Sequence, residues 1–287
     1  QMDGRGPWGL EESIREHQKV MSWYGKRNIP VEVNEPHHWG LRDASDVTFV
    51  VAAYLSAYNA QAFGVRDYIA QMMFNSPPGL SDAMDLAKML ACLEIIEPLA
   101  GPDFHIWRQT RTGLLSYPVD IDAARAHLAA SVYLQMALRP HILHVVGHTE
   151  AHHAATAHDV VEACKLARRA IENALQGQPD MTAAPAVQQR KEELIHEAQI
   201  TLEAIRALDG PDVTDPLTDP NTLARSVTMG ILDAPHLRNN PFGRGQVVTR
   251  IDQQGACNAV NPATGQELSE QKRIDSLNIG CITTSDS

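Results

Sequence analysis

Four short clusters of polar residues carry the side chains able to do chemistry. They are Asn34-Glu35-Pro36-His37-His38, Gln71-Met72-Met73-Phe74-Asn75, Arg108-Gln109-Thr110-Arg111 and Gly147-His148-Thr149-Glu150, the last followed by His152 and His153. Glu35 and Glu150 are candidate catalytic carboxylates, able to move a proton when held against a reacting group. Arg108 and Arg111 offer planar guanidiniums that can clamp a carboxylate or phosphate through paired hydrogen bonds. The competing reading pairs one of these arginines with an acid on a neighbouring strand. Gln71, Asn75 and His37 add amide and imidazole groups to the same candidate substrate site. Such a mixture suits a small anionic molecule, above all a carboxylic acid.

The histidines at 141, 144, 148, 152, 153 and 158 invite a metal reading. His148 and His152 are four apart, the spacing two ligands adopt on one helical turn. Strand periodicity sets His144 and His148 across a strand-to-loop bend, however, and the chain has no H-E-x-x-H pattern. No metal is therefore expected. A nucleophile elbow, a P-loop, a CxxC pair and a dinucleotide fingerprint are missing as well. What remains is a polar site with no self-evident engine, as expected when a cofactor does the hard chemistry.

The elements that must position these groups are legible as alternating patterns. Short apolar segments at residues 29–35, 65–75, 103–109 and 141–147 read as strands, their starts 36, 38 and 38 residues apart. Amphipathic stretches follow each of them. Val47, Val50, Val51, Tyr54, Leu55 and Tyr58 recur on one helical face, and Leu86, Met89, Leu90 and Leu93 repeat that spacing. An alanine-rich helix is expected over 121–138. Another, over 156–175, opens with Thr156 and Asp159 in capping-box spacing and is expected to bury Val160, Cys164, Leu166 and Ile171. Strand and helix alternating at this period predict parallel strands. Half of an eight-stranded (β/α) barrel is preferred over an open doubly wound sheet, because the strands end in polar clusters and no glycine-rich turn follows the first. Residues 1–177 are read as barrel units. Residues 178–287 read as an appendage, made of a linker at 179–185, a long helix over 186–208, a turn-rich stretch and a hairpin at 246–251 and 256–260.

Composition sets the outer limits. The 287 residues are 44% hydrophobic and 21% charged, ordinary for a globular chain. A formal charge of −11 argues against nucleic acid as a partner. The four scattered cysteines have no zinc-like spacing, and Cys92 and Cys164 fall within apolar helical patterns, so reduced thiols in a cytoplasmic protein are expected. No apolar run reaches the ~20 residues of a membrane span, and no signal peptide is evident. The chain opens without an initiator methionine, as a fragment, a processed form or an expression remnant would.

Several stretches, in order, resemble the second half of the catalytic subunit of glutamate (methylaspartate) mutases. They are Glu11-Glu12-Ser13-Ile14, Val33-Asn34-Glu35-Pro36, the turn at 145–151 with its Thr-Glu-Ala ending, the helix over 156–175, and the tail from Gly230 to Arg244. The resemblance covers most of the chain. It implies an adenosylcobalamin-dependent isomerase whose cobalamin is shared with a small B12-binding subunit; the Asp-x-His-x-x-Gly loop of such subunits does not occur here. It also implies that Glu150 meets the adenosyl ribose, with His148 and Gly147 beside it as cofactor contacts. A lysine that the family carries just upstream falls at Val146 or Gly147 here. Two rivals stand beside this expectation. One is a metal-dependent barrel hydrolase using the histidines between His141 and His158; the other is a non-catalytic scaffold. In every case a half barrel leaves strand edges bare, and a homo- or hetero-oligomer is expected.

Overall fold

Among the described residues, six α-helices each begin on a residue that bonds its own first turn, four of them between residues 45 and 175. Ser45 accepts from the backbone N–H of Thr48, Ser81 from Met84 and Asp120 from Ala123, while Thr156 and Asp159 form a reciprocal capping box. Each such cap satisfies an amide the helix start leaves unpaired and is worth about 1 kcal/mol. The computed structural model describes residues 6–209 and 213–277. The opening residues 1–5, part of the turn-rich stretch after residue 209, and Cys281 lie outside them.

Helix α1 (Leu10–Gly25) leads into β1 (Val31–Glu32), the short α2 (Glu35–Gly40) and α3 (Asp46–Ala62). Strand and helix then alternate through β2 (Asp67–Phe74), α4 (Asp82–Ile96), β3 (His105–Thr112), α5 (Ile121–Gln135), β4 (Ile142–His144) and α6 (Ala157–Leu175). Beyond these come α7 (Pro185–Arg206), α8 (Pro220–Thr228), the hairpin of β5 (Val248–Ile251) and β6 (Cys257–Val260), and α9 (Glu270–Asp275). The four expected strands form one parallel sheet in the order β1-β2-β3-β4. The fold class is thus mixed α/β, a parallel sheet flanked by helices. The expected hairpin is antiparallel, with Val248 opposite Val260 and Ile251 opposite Cys257.

The two sheet faces differ in kind. On β2, Tyr68, Ala70, Met72 and Phe74 are buried in the main core, which takes in apolar residues of α3 and α4. The alternate row carries Ile69 and Gln71, in register with Trp107 and Gln109 of β3. Trp107 and Ile142 on that row remain 40% and 39% exposed, so the lower half of this face is uncovered.

Helices α3 and α4 are apolar almost all round. That pattern marks a helix buried on both sides. The sheet covers one side; α7 covers the other, burying Leu194, Ala198, Leu202 and Ile205 in the same core.

Helix α6 corrects the expectation for its buried face. Ala163, Ala167, Ala170 and Ala174 are the buried residues, whereas Val160, at 52%, and Cys164 are exposed. Small side chains let α6 approach α5 closely, and Leu166 and Ile171, as expected, pack half-buried against the same cluster.

A second feature that the sequence reading missed lies deep between α3, α4, α7 and the hairpin. Lys88, wholly buried, sits 3.4 Å from Asp46 and 3.1 Å from Asp85 and donates to the carbonyl of Ser76 at 2.6 Å. Asp46 also accepts from Arg190 at 3.3 Å and from the backbone N–H of Cys257 at 2.9 Å. Burial works against the Lys88 charge, but Asp85 and Asp46 outweigh it and hold its pKa above the usual lysine value. The cluster ties the C-terminal elements to the sheet.

Candidate functional site

The uncovered sheet face turns polar toward the carboxyl ends of the strands. Glu32 on β1 accepts hydrogen bonds from the side-chain amides of Gln71 on β2 and Gln109 on β3, the latter at 2.6 Å. One carboxylate thereby bridges three adjacent strands. Strand alternation puts Arg111, two residues past Gln109, on the same face, in register with Met73 and with His144 of β4.

Arg111 is the cation of this layer. Burial works against its charge and lowers its pKa, while Glu32, Glu150 and Tyr117 act on it in the opposite sense. Its Nε is buried with no hydrogen-bond partner among the described residues. His144 is pushed down by burial and by Arg111. Tyr117 lies in the turn after β3, its hydroxyl donating to the carbonyl of Val146 at 3.0 Å and pushed up to about 12, chiefly by burial. Gly113 sets the path of that turn: a Cβ there would stand 2.8 Å from the carbonyl oxygens of Phe74 and Asn75.

His37 backs the layer from α2. It is 3% exposed, stacks on Phe49, and burial pulls its pKa down to about 3, so the ring is neutral near pH 7. Its Nε2 lies 3.0 Å from the carbonyl oxygen of Gln71; a carbonyl can only accept, so Nε2 carries the proton.

Of the residues singled out from sequence, Gln71, Arg111, His37 and Glu150 gather around this layer. Glu150 is exposed in the loop after β4, within electrostatic reach of Arg111 and Tyr117. Five others do not join it. Arg108 pairs in register with Ala70 and points to the opposite face, because β3 continues to Thr112 and residues three apart alternate. The two arginines therefore form no joint clamp. Asn75 has a left-handed φ of 57°, which turns its side chain to accept from Ser131 of α5 at 2.6 Å. Glu35 starts α2, faces His38 at 3.7 Å, and lines a separate cavity of about 200 Å³ between α1, α2, α3 and α8. Two polar groups lining that cavity, Gln18 and Asn59, bond each other at 2.9 Å. His148 is 1% exposed and turned inward toward Glu162, so it is not a surface contact for a cofactor. Gly147 has room for a Cβ, with nothing nearer than 3.7 Å, and forms no tight cradle.

Glu32 is the functional candidate the sequence reading passed over for Glu35. A signal existed: Glu32, Gln71 and Gln109 each interrupt an apolar strand with an acid or amide, at positions that the parallel register aligns. The i, i+4 pairing of His148 with His152 that a metal reading would have needed is not realised, because residues 148–153 form turns rather than helix. His148 meets Asp159 and Glu162 of α6 instead, with donor atoms all within 4.8 Å of one another. No family model matches the chain, and no curated protein matches it.

Proposed function

We propose that the chain is one half of a parallel (β/α) barrel whose polar layer walls a cavity for a small carboxylic acid. We extend this to an isomerase, the catalytic-subunit component of an adenosylcobalamin-dependent carbon-skeleton mutase, in keeping with the resemblance to glutamate mutases. One observation carries the reading: a half-desolvated Arg111 lies near Glu32 and Glu150 at the carboxyl end of parallel strands, with its Nε unpaired. A buried donor left unpaired is costly, and a bound carboxylate would satisfy it through a charge-assisted bond. Barrel closure is favoured by the strictly sequential strand order, since doubly wound sheets reverse order at a switch point. The uncovered Trp107 and Ile142 and the single-sided pairing of β1 and β4 fit a sheet completed by another half, within an oligomer.

In this reading Arg111 binds the acid's carboxylate. Gln71 and Gln109 hold Glu32 in place, and neutral His37 and Tyr117 close the wall without adding charge. Glu150, exposed and on a loop at a strand end, suits the vicinal hydroxyls of an adenosyl ribose. The cobalamin, shared with a small B12-binding subunit, supplies the radical chemistry when bound. The share of this chain is binding, orientation and exclusion of water.

The test mixes the protein with adenosylcobalamin and a small B12-binding subunit while carboxylic acids are added. An acid-dependent change in corrin absorption with an organic-radical EPR signal, lost in Glu150→Ala, is the expected result. Calorimetry on the protein alone separates the two parts of the proposal. Carboxylate binding without any cobalamin response would sink the mutase reading and leave the acid site standing; no carboxylate binding would sink both.

A further inference from the structure

Behind the Glu150 loop lies a second constellation, and it belongs to different chemistry. His148 is 1% exposed, and neither of its ring nitrogens has a hydrogen-bond partner among the described residues. A buried imidazole left this way is costly, because one nitrogen must donate and the other accept. Its Nε2 points at Oε2 of Glu162, 3.4 Å away, a contact without hydrogen-bond geometry. Asp159, one turn before Glu162 on α6, brings a third donor; one oxygen from each carboxylate and one His148 nitrogen lie within 4.8 Å of one another. His153 Nε2 stands 3.3 Å from Asp159 Oδ2, so a fourth donor is at hand.

We propose that His148, Asp159 and Glu162 bind a first-row divalent cation of the zinc type, which pins the loop after β4 to α6. One imidazole and two carboxylates form a borderline-hard donor set that suits such ions, with His153 or water completing four-coordination. Ligand atoms ~2.0–2.2 Å from zinc lie roughly 3.3–3.6 Å apart in a tetrahedron, so the widest pair must close by little more than about 1 Å. Charge agrees. The neutral imidazole and two carboxylates carry −2, and the nearest fixed cation, Arg125, engages Glu162 at 3.0 Å and leaves a net negative site. Arg125 competes with the ion for Glu162. The cation would join residues on either side of Glu150 and hold that loop in one position. This site does not depend on the mutase reading, because none of its ligands belongs to the layer of Glu32, Gln71, Gln109 and Arg111.

The whole chain, freed of metal by chelation, is titrated with Zn²⁺ by calorimetry and with Co²⁺ by visible absorption. The expected result is one strong equivalent, with a Co²⁺ ligand-field spectrum. His148→Asn should weaken binding roughly a hundredfold. Glu162→Gln, at a half-buried position, should do the same and carries the test if His148→Asn fails to fold by circular dichroism. Arg125→Gln should tighten binding by removing the competing cation. His152→Ala should leave the equivalent unchanged, because that exposed ring contributes no ligand. No strong equivalent, an equivalent that persists in Glu162→Gln, or one that disappears with His152→Ala would each overturn the proposal.

Discussion

Two cations set between carboxylates, Lys88 and Arg111, differ in what surrounds them. Lys88, between Asp46 and Asp85, is sealed beneath α3, α4, α7 and the hairpin, and the carbonyl of Ser76 takes another of its protons. Arg111, with Glu32 and Glu150 acting on it, lies at the open end of the sheet and keeps a donor without a partner. The sealed cluster is wholly buried and serves to join distant parts of the chain. The open one has its charge supported but not exhausted, the condition for recognising an anion. Similar charge triads therefore do opposite work, and the covering elements decide which.

The largest effect is expected from breaking the sealed cluster. Lys88→Met leaves Asp85 buried without a cation and Asp46 with Arg190 alone, and should cost about 3–5 kcal/mol of stability by urea denaturation. A loss below about 1 kcal/mol would mean the cluster is hydrated and not sealed. Arg111→Met should instead leave the urea midpoint nearly unchanged and lower carboxylate affinity on the order of a hundredfold, about 2.7 kcal/mol by calorimetry. Equal damage to both readouts would erase the distinction between the clusters.

Acid should sharpen the comparison further. The folded pKa of His37 lies near 3, below its unfolded value, so the unfolded chain binds the extra proton between the two. The contribution of His37 is complete above about pH 6.5 and lost as pH falls toward 3, by about 1.4 kcal/mol per pH unit. His37→Gln, whose amide can also donate to Gln71, should flatten that part of the acid limb of a stability–pH curve. The smallest effect belongs to the caps: Asp120→Ala should cost about 1 kcal/mol in thermal or urea melts, without touching anion binding.

Periodicity made the four strands, the crossover helices and the hairpin legible, because alternation and 3.6-residue repeats are local properties of the chain. The Thr156–Asp159 capping box was legible for the same reason. Side-chain direction within the site was less so. Ending β3 at Gln109 made Arg108 and Arg111 look like partners, whereas three more strand residues send them to opposite faces. Glu35 stood out beside its proline, yet Glu32, within the strand, bridges Gln71 and Gln109. On α6, Leu166 and Ile171 pack half-buried as expected, but Val160 and Cys164 are exposed and alanines form the closest face to α5.

By itself, the sequence determined which segments become strand or helix, that they alternate, and that the polar groups collect near strand ends. Those outcomes follow from backbone preferences and hydrophobic spacing within a few residues. Only the tertiary structure decided that Asp46, Asp85, Lys88 and Arg190 form one sealed cluster, and that His148 meets Asp159 and Glu162. It also decided that Arg111 keeps an unpaired donor on the open face. Each of those depends on how separate elements pack, where register, burial and the presence or absence of a covering helix set the surroundings of a charge.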